Sequence, residues 1–176
     1  MRGERPTPRH VVVVGLMGAG KSTVGRRLAA LLGWPWRDSD RDIEATTGLT
    51  VRELGDRDGV DGMHALEAQH LRDALAERGP SVISAAASTV DVPECRAAMT
   101  EPGVAVVWLR STPEVLARRF ASADRHRPAF GASPRDLLAE QAARRAPLLA
   151  SLDPIVVDVD AIDPDEAAAQ AMEGLR

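Results

Sequence analysis

The stretch Gly15, Leu16, Met17, Gly18, Ala19, Gly20, Lys21, Ser22 satisfies the pattern G-x-x-x-x-G-K-[ST] in full. Glycines let a backbone take φ > 0 and come close to a phosphate. Successive N–H groups then form an anion-binding nest, strengthened by the positive end of a following helix. In such a cradle Gly18, Ala19, Gly20, Lys21, Ser22 and Thr23 hold the phosphates of a nucleoside triphosphate. Lys21 neutralises the β- and γ-phosphates, and the Ser22 hydroxyl ligates Mg²⁺. Lys21 is the only lysine in the chain. A glycine-rich turn that matched by accident would need neither flank, yet the valines Val11–Val14 precede the motif and an amphipathic run follows it. Two further carboxylates, Asp38 and Asp40, lie at the end of the next strand candidate, close to where the γ-phosphate should lie; their plainer reading is a solvated polar turn.

Short β-branched runs alternate with helical patterns along the rest of the chain. Val11–Val14, Ser81–Ser84, Val104–Leu109 and Ile155–Val159 read as buried strands, with Trp34–Arg37 a shorter fifth. Residues Lys21–Leu32 place Val24, Leu28, Leu31 and Leu32 on one face, and Gly33 stops that helix. A second amphipathic helix covers Met63–Arg78. Ser111, Thr112, Pro113 and Glu114 form a capping-box pattern before Val115, Leu116 and Phe120. Ser133–Pro134 and Asp163–Pro164 each set a cap residue before proline at the first helical position. Strands alternating with helices predict an α/β domain, five parallel strands between two layers of helices. Residues 121–132, which include Arg125, His126, Arg127, Pro128 and Gly131, break this rhythm and form a long loop, functional or simply solvated.

With 176 residues the chain fits one compact domain, and its 44% apolar content removes any need for a disulfide or structural metal. The single cysteine, Cys95, fits a reducing compartment. A net charge of −4 argues against a dedicated nucleic-acid binder. The polar start and the short apolar runs give no signal peptide and no membrane span, so a soluble cytoplasmic protein is expected. Arginine and alanine are abundant throughout, which weakens any argument from arginine number alone. One lysine leaves no room for the guanine-specifying N-K-x-D of GTPases, and size and missing signatures exclude a protein kinase.

The segment Gly33, Trp34, Pro35, Trp36, Arg37, Asp38, Ser39, Asp40, followed by Ile43, Glu44 and Gly48, resembles shikimate kinase, in which the P-loop helix leads to an aromatic–x–D–[ST]–D segment and then I-E-x-x-x-G. Arg125, His126, Arg127 and Pro128 resemble that family's lid, and Arg145, Ala146, Pro147 and Leu148 its later R-x-P-L motif. The resemblance runs in outline over nearly the whole chain. It implies a three-layer P-loop kinase fold over residues 1–176, with a flexible N-terminus at 1–9 and a mobile lid at 121–132. It also implies a monomer that uses ATP and Mg²⁺ to phosphorylate shikimate to shikimate 3-phosphate, in aromatic amino acid biosynthesis. By the same resemblance Asp38 supports Mg²⁺ through water, and Asp40 holds the acceptor hydroxyl and helps take its proton. Arg127 closes over the nucleotide, Arg119 packs on adenine, and Arg145 pairs with the acceptor's carboxylate. Surface arginine is the plainer reading of all three.

Three positions depart from the family pattern. Ala86, Ala87 and Ser88 stand where the family has a glycine triplet; alanine costs about 1 kcal/mol wherever φ > 0 is required, so either the loop is rearranged or the acceptor pocket is narrowed around Ala87. His64, in Met63, His64, Ala65, Leu66, Glu67, stands where an arginine would share the carboxylate with Arg145, and is a weaker donor, largely neutral at pH 7. Ile162 replaces a polar residue beside adenine. The triphosphate side is therefore intact and the acceptor side altered. Three readings follow: phosphorylation of shikimate, phosphorylation of another cyclitol or a sugar, or a nucleotide-binding module without phosphate transfer.

Overall fold

The computed structural model describes residues 7–122 and 133–176. Arg127 and most of the lid expectation lie outside the described residues, as do the first six positions. Arg9 is already tied to the sheet, its N–H donating to the Gly103 carbonyl at 2.7 Å and its carbonyl accepting from Ser81 N at 3.2 Å.

Five strands, β1 (His10–Val14), β2 (Trp36–Asp38), β3 (Ser81–Ser84), β4 (Val104–Arg110) and β5 (Ile155–Asp158), form one sheet in the order β2-β3-β1-β4-β5. Every pairing is parallel, with Val12 opposite Ile83 on one side and Val106 on the other. β1 is wholly buried because it is the central strand and both its faces are covered. Its side chains alternate between faces. Val11 and Val13 join Leu28, Val107, Leu109 and Ala171 in one core, while Val12 and Val14 join Leu71, Ile83, Met99 and Leu149 in the other.

Helices α1 (Lys21–Leu32) and α7 (Pro164–Gly174) pack together over the first core. Helices α3 (Val51–Ala76), α4 (Pro93–Met99) and α6 (Pro134–Ala150) supply residues to the second. α2 (Ser39–Thr47) leans on α3, and α5 (Pro113–Ser122) on α6. The caps at Ser133 and Asp163 form as expected, Asp163 accepting from Asp165 N at 2.8 Å and Glu166 N at 2.9 Å. The expected capping box at Ser111 does not form. The Ser111 hydroxyl goes to Asp160, and Thr112 starts α5, its carbonyl accepting from Leu116 N at 3.0 Å.

Two segments differ from the expected boundaries for local reasons. α3 begins well before Met63, at a Thr50–Glu53 capping box, and is broken at Gly59, whose φ of 76° and ψ of 170° are not helical. β2 begins at Trp36 rather than Trp34, because the Trp34 N–H still bonds to Ala29 O at the end of α1 (3.0 Å).

Candidate active site

Gly15 to Gly20 carry the chain from β1 into α1. An added Cβ at Gly15 would lie 2.7 Å from the Leu109 carbonyl oxygen, and φ there is 151°, so a side chain is excluded by both space and backbone. Gly20 caps α1 at φ 91° with no side-chain hydrogen bond, and no acidic residue sits in the first turn. The first N–H groups of α1 thus keep their capacity for an external anion, the condition for holding phosphate. Ser22 and Thr23 are exposed at this end, and Lys21 Nζ donates to the Leu16 carbonyl at 3.2 Å, which keeps the ammonium over the loop. These residues fit a triphosphate and its magnesium ion.

Asp38 is opposite Ser84 in the β2–β3 pairing. Ser84 Oγ donates to the Lys21 carbonyl at 2.9 Å and accepts from Trp36 Nε1 at 3.0 Å. The β2 end is thereby locked beside the P-loop. Asp38 is buried and caps α2, accepting from Arg41 N at 3.2 Å, whereas Asp40 is exposed in the first turn of that helix. The two carboxylates thus belong to a helix start, not to a polar turn.

The segment Ala86–Ser88 takes no left-handed backbone. Ala86 has φ −62° and ψ 147°, and Ala87–Asp91 form a short 3-10 turn. Among the described non-glycine residues only Asp153 has positive φ. Alanine therefore incurs no left-handed strain here; what the methyl groups change is space. Ala86 and Ala87 pack at a closed crevice with Val14, Gly15, Leu16 and Arg145. Ser88 is buried and donates its hydroxyl to Glu67.

Glu67, on α3, is buried beside Ser88. Burial raises its carboxyl pKa to about 7; Ser88, Lys21 and Arg145 pull it down, and the Asp40 charge pushes it up. The charges of three residues singled out from the sequence thus reach one buried carboxyl. Arg145, on α6, is 5% exposed; its Nε and Nη2 donate to Asp91 at 3.0 and 2.6 Å, and its Nη1 to Gln141 at 3.1 Å. His64 lies close enough for the Arg145 charge to reach it. Burial first, then Arg145, lowers its pKa, so it is neutral at pH 7 as expected. On the far side, Arg119 donates to the Val159 carbonyl, just before the Asp160–Ile162 turn, so Arg119 and Ile162 flank the same edge.

Asp91 and Gln141 escaped the sequence reading, and Glu67 entered it only as the end of the Met63–Glu67 segment, without a role. Glu67 had a signal, as a carboxylate three positions from His64 on the buried face of an amphipathic helix. Asp91 had none.

A parallel sheet in this order, a P-loop after its central strand β1 and carboxylates where the edge strand β2 passes into α2 define a P-loop small-molecule kinase. The family model described as shikimate kinase matches residues 17–176. Shikimate kinase from Thioalkalivibrio sulfidiphilus is 36% identical over 86% of this chain and 78% of its own length. That from Paramagnetospirillum magneticum is 37% identical over 95% of this chain and 84% of its own. The solved structure of shikimate kinase from Acinetobacter baumannii in complex with shikimate superposes with a TM-score of 0.87 at 28% identity, covering 96% of this chain and 93% of that one. The chain belongs to the shikimate kinase family.

Proposed function

We propose that this protein transfers the γ-phosphoryl group of ATP to a ring hydroxyl of shikimate, giving shikimate 3-phosphate and ADP. The observation that carries this reading is the complete P-loop running from β1 into α1, with Asp38 and Asp40 at the start of α2 beside it. The A. baumannii relative was solved with shikimate bound, which supports the same acceptor class here. The neutral-polyol and non-catalytic readings have less behind them.

Roles follow from placement. The first N–H groups of α1, with Gly18, Ala19, Gly20 and Thr23, cradle the phosphates, and Lys21 spreads positive charge over the β–γ bridge. Ser22 would hold Mg²⁺, with Asp38 supporting it through water. That ion would supply charge neutralisation at the transferring group. Asp40 orients the acceptor hydroxyl. As its oxygen bonds to phosphorus and the bond to the β-phosphate oxygen breaks, Asp40 receives the proton. His64, Ala87 and Arg145 line the acceptor end, Arg145 facing its carboxylate. Arg119 and Ile162 cover adenine, and Arg127, outside the described residues, would complete the charge stabilisation. Among the described residues no helix is long and apolar enough to cross a membrane. A cytoplasmic monomer acting on a small molecule, with no nucleic-acid or membrane partner, accords with the net charge of −4 and the single buried cysteine.

ADP release with ATP, Mg²⁺ and saturating shikimate tests the reading. Turnover is expected in the natural protein, reduced at least about 100-fold in Lys21→Met. No turnover from folded, ATP-binding protein refutes it.

A further inference from the structure

Arg145 already holds a carboxylate, and that carboxylate belongs to this chain. Asp91 takes the Nε–Nη2 edge of the guanidinium, at 3.0 and 2.6 Å, while Gln141 takes Nη1. The same Asp91 oxygen lies 3.2 Å from Nη2 of Arg144. The Arg145 side chain is 6% exposed, that of Asp91 31% and that of Arg144 56%, so one carboxylate sits between a buried guanidinium and an exposed one. Both arginines hold the Asp91 carboxyl below its usual range even though burial alone would raise it.

We propose that Asp91 is a specificity-determining residue: it is the internal counter-ion of Arg145 before the acceptor binds, and it must be exchanged for the acceptor's carboxylate. This rests on the reading of Arg145 as the carboxylate partner given above. A guanidinium whose side-on edge is engaged offers an incoming carboxylate neither that fork nor its full charge, and the two carboxylates repel across it. His64 adds no compensating charge, because burial and Arg145 keep it neutral. Exchange is possible because Arg144 is already within reach and keeps the displaced Asp91 paired in solvent. Arg145 itself borders Ala86 and Ala87, in the turn that stands where the family has its glycine triplet. Asp91 therefore narrows the difference in affinity between an anionic ring polyol and a neutral one of the same shape.

Calorimetric binding of shikimate and of its methyl ester, which keeps the ring hydroxyls without the charge, tests this on the natural protein and on Asp91→Asn. The natural protein is expected to bind the two within roughly fivefold of each other, and Asp91→Asn to bind shikimate about tenfold tighter with the ester changed less than about twofold. Equal or weaker shikimate binding by a folded Asp91→Asn overturns the proposal. Should that variant fail to fold, the natural protein still decides: a preference of about 100-fold for shikimate over the ester overturns it as well. Phosphate transfer is followed on the same samples. Absent turnover with the expected binding pattern refutes the kinase reading alone, and normal turnover with unchanged binding refutes the role of Asp91 alone.

Discussion

Ser88 donates its hydroxyl to the Glu67 carboxyl, a buried contact between residues 21 positions apart. It joins α3 to the turn that replaces the family's glycine triplet, so the residue that departs from the pattern also satisfies a buried acid. Burial raises the Glu67 pKa from 4.5 to about 7. The folded state therefore binds this proton more tightly than the unfolded state does. Its contribution to stability is fully present below pH 4.5 and is lost as pH rises to about 7. At 1.36 kcal/mol per pH unit, that window corresponds to roughly 3 kcal/mol. Urea unfolding at pH 5 and pH 8 is expected to show Glu67→Gln losing less stability than the natural protein across that interval. Parallel losses in the two proteins contradict this account.

Gly25, in α1, faces β3, and a Cβ built there would lie 2.2 Å from Ser84 Oγ and 3.2 Å from Trp36 Nε1. Ser84 could rotate away only by giving up its bonds to the Lys21 carbonyl and to Trp36. Gly25→Ala is expected to destabilise by about 1–3 kcal/mol and, because Lys21 shares the displaced contact, to weaken ATP binding as well. Gly20→Ala lacks the clash and meets a φ of 91° instead. Thermal unfolding with and without ATP separates the two: for Gly25→Ala the loss persists in apo protein, and a stability equal to that of the natural protein counts against close packing at this point.

The parts of the fold legible from sequence were those with local causes. Four valines before a glycine-rich turn mark a strand buried on both faces, and Asp163–Pro164 marks a helix start, with no need of distant contacts. α2 was missed because its only buried apolar residue is Ile43, leaving no periodicity to read. The first half of α3 was missed likewise, with Leu54 as its buried apolar residue before the break at Gly59. At the site, the P-loop and the Asp38/Asp40 pair were recognisable by spacing. The backbone of Ala86–Ser88 was left between a rearranged loop and a narrowed pocket, and this chain adopts a 3-10 turn there without positive φ. Asp91 was invisible because its partner Arg145 lies 54 positions away and nothing local distinguishes it from any other surface carboxylate.

His64 supplies the sharpest test of the acceptor end. It lies near enough to Arg145 and Asp91 for both charges to act on it, and its lowered pKa leaves it without charge at neutral pH. An arginine at this position would bring a second guanidinium to the carboxylate subsite. Its repulsion with Arg145 would be moderated by Asp91, which already carries two arginine partners. A charge-assisted hydrogen bond contributes about 1.5–3 kcal/mol, so His64→Arg is expected to lower the KM for shikimate by roughly 10- to 100-fold. kcat should hold, because the new group touches the end of the acceptor remote from the transferred phosphate. The methyl ester of shikimate should show no such gain. A fall in KM for both acceptors would mean that arginine acts by filling space, and a rise for shikimate would mean that the acceptor lies elsewhere than between α3 and α6. The direction of that one KM therefore decides whether the histidine is a weakened carboxylate donor or a neighbour with no part in acceptor binding.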